Sequence, residues 1–134
     1  MTSMSRIRVA LWSRKCGDLP AIEASLVRVG CHVNRVESFA ELEKACRDHE
    51  ADVLVVSCRS ARNVLQWLHS TPSGLGPFAR IPVLTLASSL DVDLYLEAMQ
   101  LGAFDCAGLP LDGRELARLL SRAAEAGQMA AAHA

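Results

Sequence analysis

Asp52-Val53-Leu54-Val55-Val56-Ser57 is a nearly unbroken β-branched run, and no other segment constrains the fold as strongly. A strand with one wet face alternates apolar and polar residues. A continuous apolar strand needs cover on both faces, which a parallel sheet flanked by helices supplies. This segment is therefore expected at the centre of such a sheet. Parallel neighbours cannot be joined by tight hairpins, so each connection must cross over, and the crossover brings a helix with it.

The rest of the chain provides that alternation. Residues 6–12 read as a first strand with a mixed start and an apolar end. Over 18–29, Leu19, Ile22, Leu26 and Val29 recur at spacings of three and four, the stripe of an amphipathic helix, and Gly30 stops it. Residues 31–36 alternate as an edge strand with one wet face. Ser38-Phe39-Ala40-Glu41 matches a capping box and opens a helix running to about His49. A third helix spans about 61–69 and gives way to a loop rich in Ser, Pro and Gly through Pro77. Val83 to Ala87 form a fourth strand, and Leu90, Leu94, Ala98 and Leu101 stripe the following helix, with Asp91 and Asp93 capping and beginning it. A short fifth strand lies near 103–107. A last helix, capped by Asp112, carries Leu116, Leu119, Leu120 and Ala123.

Five strands alternating with five helices predict an α/β fold, a single doubly wound flavodoxin-like domain with a parallel sheet in the order 2-1-3-4-5. Ligands of such sheets bind at the carboxyl ends of the strands, so the informative loops follow Trp12, Ser57, Ala87 and Ala107. At 134 residues one domain is expected, over 6–126, with a flexible N-terminus at 1–5 and a flexible tail at 127–134. A net charge of -1 gives no general pull toward nucleic acid or anionic membrane. The first apolar run, Val9-Ala10-Leu11-Trp12, is broken by Ser13 and Arg14, so neither a signal peptide nor a membrane span is visible, and a cytoplasmic location is the default. The five cysteines are odd in number and scattered, which argues against a disulfide framework or a zinc site. Cys31, Cys46 and Cys106 fall in apolar contexts and read as small core residues.

Ile81-Pro82-Val83-Leu84-Thr85-Leu86-Ala87-Ser88-Ser89, then Ala98 to Asp105, then Leu109-Pro110-Leu111-Asp112, resembles the second half of a bacterial response-regulator receiver domain of the CheY-like, two-component type. The resemblance covers about 6–126. It implies a phosphorylation site built from acidic residues after the first strand, an acceptor Asp after the third, a hydroxyl residue after the fourth and Lys-Pro after the fifth. Here those positions hold Ser13 and Arg14, Ser57, Ala87 and Leu109-Pro110, with Ser88 able to substitute for Ala87 only if the register slips by one. The chemistry needs carboxylates for a hard cation, a cationic partner for the phosphoryl oxygens and an Asp nucleophile. Asp52 is at the wrong end of its strand to replace the acceptor. The resemblance also implies a cis Leu109-Pro110 peptide and places Cys106 where receivers carry an aromatic switch residue.

These substitutions predict a degenerate receiver domain that takes no phosphoryl group, binds no metal or cofactor, and works through protein contacts. The expected surface is the fourth helix, fifth strand and last helix, with Tyr95, Met99, Cys106, Arg114, Arg118 and Arg122 as its residues and a protein partner or a second copy as its occupant. A different class of function is sensing at the former active edge, where Arg14, Lys15 and Arg59 would bind an anion or Cys16 and Cys58 would act as a thiol pair. A third reading is a structural domain of a longer regulator. Enzymes of similar shape are disfavoured by the absence of a Gly-rich phosphate loop, a nucleophile elbow or a C-x5-R loop, and nucleic-acid binding by the absence of a basic stripe.

Overall fold

All five residues of Val53–Ser57 are buried, and the strand they form sits in the middle of a five-stranded sheet. The structure, a computed structural model, describes residues 7–13, 17, 19–48, 50–70 and 81–132. Along the chain the elements are β1 (Arg8–Trp12), α1 (Leu19–Arg28), β2 (His32–Val36), α2 (Phe39–Arg47), β3 (Val53–Ser57), α3 (Ala61–Ser70), β4 (Val83–Ala87), α4 (Val92–Gln100), β5 (Asp105–Gly108) and α5 (Gly113–Ala132). The sheet order is β2-β1-β3-β4-β5 and every pairing is parallel, as the alternation of elements predicts. Among the described residues no helix is long and apolar enough to cross a membrane.

The pleat divides β3 between two cores. Leu54 and Val56 join Ala10, Trp12, Val83 and Ala87 under α2, α3 and α4, whereas Val53 and Val55 join Val9, Leu11, Leu84 and Leu86 under α1 and α5. Leu54, Leu84, Leu86, Leu116 and Leu120 are almost fully buried, each contributing roughly 1.5–3 kcal/mol by removal from water. On the first face Phe39 stacks between Trp12 and Trp67, with ring centroids 4.9 Å and 4.7 Å apart, and so ties α2 and α3 to the end of β1.

Local chemistry sets the ends of the helices. Ser38 Oγ accepts from the Glu41 N–H at 3.1 Å, but the Glu41 carboxylate accepts from Glu37 N–H at 2.6 Å, one residue earlier than the expected reciprocal contact. Asp91 caps α4 as predicted, its carboxylate accepting from Leu94 N–H at 2.8 Å. Gly30 and Gly102 end α1 and α4 at φ 88 and 101, which favours glycine because a Cβ crowds the backbone there. The Leu109-Pro110 peptide is cis. Asp52 lies before β3, where its carboxylate accepts from the Arg8 backbone N–H at 2.8 Å and from the Arg8 guanidinium.

Three expectations need correction. α5 continues to Ala132, through most of the stretch assigned above to a tail from 127, and residues 133–134 and 1–6 lie outside the described set. The continuation has a docking partner, because Gly127 is seated against Pro82 so closely that an added Cβ would fall 2.8 Å from its Cδ. β2 is wetter than an alternating edge strand, with Arg35 on its second face turned to pair with Glu23 of α1. On α4 only Ala98 of the predicted stripe is fully buried, and Met99, expected on the outer side, is half-buried against the core together with Leu90 and Leu101.

Candidate functional site

The carboxyl ends of β1, β3, β4 and β5 come together at one edge of the sheet, the edge at which doubly wound folds bind their ligands. Ser13 follows β1. Its hydroxyl donates to the Val36 carbonyl at 3.2 Å and its N–H to the same oxygen at 2.9 Å, so the side chain fastens β1 to β2. Ser57 closes β3 with only 2% of its surface exposed, and its Oγ accepts from the Arg59 N–H at 3.3 Å. Ala87 closes β4, fully buried, and Ser88 follows it exposed to solvent. The strand register leaves Ala87 opposite Gly108, so Ala87, not Ser88, is the last residue in line with β5. Leu109 donates its N–H to the Ala87 carbonyl at 2.7 Å and lays its side chain on the α1–α5 core, while Pro110 is exposed.

Among the described residues these strand ends present hydroxyls, thiols and backbone groups and no carboxylate. Mg²⁺ selects carboxylate oxygens and water in near-octahedral array. The described donor set therefore does not fit such a cation, and Asp18, the first carboxylate after β1, lies outside the described residues. Nor do any three His, Cys, Asp or Glu side chains converge among the described residues. Arg14, Lys15 and Cys16, three of the five residues of the expected anion and thiol edge, lie outside the described residues. Arg59 is exposed and Cys58 is 7% exposed.

What the sequence did not reveal is the company Cys58 keeps. Its Sγ lies 3.1 Å from Cys106 Sγ, although 48 residues separate the two in the chain. Cys58 stands just past the end of β3 and Cys106 lies on β5, with β4 between them. Ser57 is level with Leu86 on one side of β4 and Cys106 is level with Thr85 on the other. On their shared face β4 therefore presents Thr85 and Ala87, two small side chains over which the sulfurs meet. Cys106 is 6% exposed, which removes it from the interaction surface where the sequence placed it.

The thiols are electrostatically distinct. Burial pushes Cys31 up to about 11 and Cys46 up to about 12. Cys106 is instead brought down to about 7, first by the hydrogen bond from Cys58, against the opposing effect of burial, and then by the Thr85 hydroxyl.

Of the remaining surface residues, Tyr95 is exposed on α4, and Arg114, Arg118 and Arg122 are exposed along α5. The exposed apolar face of α4 is Val92, Tyr95 and Leu96, with 71%, 39% and 47% exposure. Their spacing of three and four puts them side by side on the helix. Arg62 of α3 holds Glu97 of α4 at 2.9 Å beside this face.

No protein-family model matches the chain, and no curated protein matches it by sequence. Solved structures match its fold. The receiver domain of sensor histidine kinase PA1611 from Pseudomonas aeruginosa PAO1, with magnesium in its active-site cleft, superposes with a TM-score of 0.64 at 21% identity, over 89% of this chain and 98% of that one. The signal receiver domain of a Luxo repressor protein from Vibrio parahaemolyticus gives 0.65 at 16% identity, over 92% and 94%. The beryllofluoride-activated NtrC4 receiver domain, a dimer, gives 0.62 at 16% identity, over 90% and 98%. By fold the chain is a receiver-type α/β domain, and nearly the whole length of each of these domains is represented in it.

Proposed function

We propose that this chain is a receiver-fold signalling module that acts through protein contacts without acquiring a phosphoryl group. The observation that supports the reading is the end of β3, where the resemblance puts the acceptor and where Ser57 has a hydroxyl 2% exposed and engaged by the Arg59 N–H. A serine hydroxyl needs an adjacent base to become a nucleophile. The described residues level with it on β4 and β5, Leu86 and Ala107, bring none. Leu109 offers no charge to a phosphoryl oxygen. With no acceptor carboxylate and no cluster of metal-ligating side chains among the described residues, the domain's output rests on its surface, and α4 carries the apolar Val92, Tyr95 and Leu96 face beside β5, an edge strand with α5 on its other side.

Incubation with acetyl phosphate and Mg²⁺, followed by intact-mass measurement, tests the first half of this reading. An unchanged mass is expected. A stoichiometric phosphoryl adduct on Ser57 would overturn it. Light scattering over a concentration series, together with partner capture in the absence of phosphodonor, tests the second half.

A further inference from the structure

Cys58, one residue past β3, and Cys106 on β5 reach each other across β4 as thiols in contact. We infer that Cys58 and Cys106 form a redox pair that a small peroxide, of the hydrogen peroxide class, closes to a disulfide, pinning the end of β3 to β5 beneath α4. The inference stands on geometry. The sulfurs are 3.1 Å apart and need approach by only about 1 Å to reach the roughly 2.05 Å of a disulfide bond. On the face they share, β4 presents only the small side chains of Ala87, level with Cys58, and Thr85, level with Cys106. Both thiols are nearly buried, at 7% and 6% exposure, which admits a two-oxygen oxidant and disfavours a bulky disulfide donor.

The chemistry balances without a further reactant. One thiol loses its proton, and the thiolate attacks a peroxide oxygen. The O–O bond breaks, the departing hydroxide takes up that proton as water, and the sulfur is left as a sulfenic acid. The second thiol sulfur then attacks the sulfenic sulfur. Its S–O bond breaks, hydroxide leaves and takes the second thiol proton as water, and the S–S bond forms. Two thiols lose two electrons in total and the peroxide is reduced to two waters. Cys106 is the first nucleophile, because its thiol is the one held near neutrality by its neighbours. Cys31 and Cys46 are kept protonated by burial.

The chain offers an unambiguous readout. Trypsin cutting after Arg47, Arg59, Arg80 and Arg114 releases Cys58 within peptide 48–59 and Cys106 within peptide 81–114, and neither peptide holds another cysteine. The reduced full chain is treated with hydrogen peroxide near neutral pH, its remaining thiols are alkylated, and the digest is weighed without reductant. A cross-linked species joining the two peptides, lighter by about 2 Da than their sum, is expected, and dithiothreitol should abolish it. Cys58→Ser should replace the cross-link with a sulfenic acid on Cys106, trapped by dimedone. Should that variant fail to fold, Cys106→Ala serves, with loss of the cross-link and no new pairing of Cys58.

Recovery of both peptides fully alkylated at every peroxide dose that leaves the chain folded would overturn the pair, and so would a Cys58 cross-link to Cys16. Hydrogen exchange reads the pinning. Oxidation should slow exchange across 92–108, and unchanged exchange there overturns the link to α4. No partner is present in either measurement, so their failure is distinct from failure of the contact reading above.

Discussion

Ser57, Ala87 and Leu109 stand at three strand ends where the resemblance implies reactive groups, and Cys58 and Cys106 meet beside them. The low thiol pKa of Cys106 has a kinetic consequence with a definite sign. Thiolate is the reactive form, so the rate of cross-linking by peroxide should rise with pH through about 7 and change little from pH 8 to 9. A thiol at the ordinary 9.0 would still gain about fivefold over that last interval. Stopped-time alkylation at a series of pH values measures it, and a rate still climbing steeply above pH 8 would count against the assignment of Cys106. The replaced positions Ser57, Ala87 and Leu109 were legible in the sequence because each closes or follows a strand that periodicity locates. The meeting of Cys58 with Cys106 was not, since it depends on the register of two strands that are not neighbours and on the small size of Thr85 and Ala87 between them.

At the scale of elements, the strands were the easiest to read, because Val53–Ser57 and Val83–Ala87 are continuous apolar runs with no competing helical period. The helix faces were harder. α4 has only nine residues, so a shift of one position in its buried stripe exchanges Met99 for an outward residue, and it took the packing of Leu90 and Leu101 to fix the rotation. The end of α5 was misjudged for a different reason. Ala-rich sequence past a glycine reads as fraying, whereas Gly127 serves as the flat spot against which Pro82 packs. Gly127→Ala should therefore lower stability by about 1–2 kcal/mol, the steric clash outweighing the roughly 1 kcal/mol that alanine gains over glycine within a helix. Urea denaturation followed by Trp12 and Trp67 fluorescence checks the sign, and a more stable variant would contradict the docking described for α5.

For the whole molecule, the five-stranded order followed from alternation and crossover rules, but the make-up of the proposed contact surface did not follow as directly. Tyr95, Arg114, Arg118 and Arg122 are exposed where the sequence placed them, Met99 and Cys106 are withdrawn into the core, and Val92 and Leu96 take their place. If this face makes the contact, Tyr95→Ala combined with Arg118→Glu should reduce self-association or partner capture at least tenfold, a loss of about 1.4 kcal/mol or more, as expected for aromatic and arginine anchors. The melting temperature should stay within about a degree, since both side chains face solvent. Undiminished capture by this variant would remove the face from consideration.

The seating of Gly127 on Pro82 also settles a matter of handling. α5 starts at the carboxyl edge of the sheet after β5 and runs back until Gly127 meets the residue that precedes β4, so Ala132 and the start of β1 at Arg8 lie toward the same pole. A dye, a resin linkage or a fused reporter joined beside Ile7 or Ala132 would start from that pole. It would leave the thiol pair and the α4 face unobstructed for every measurement proposed above.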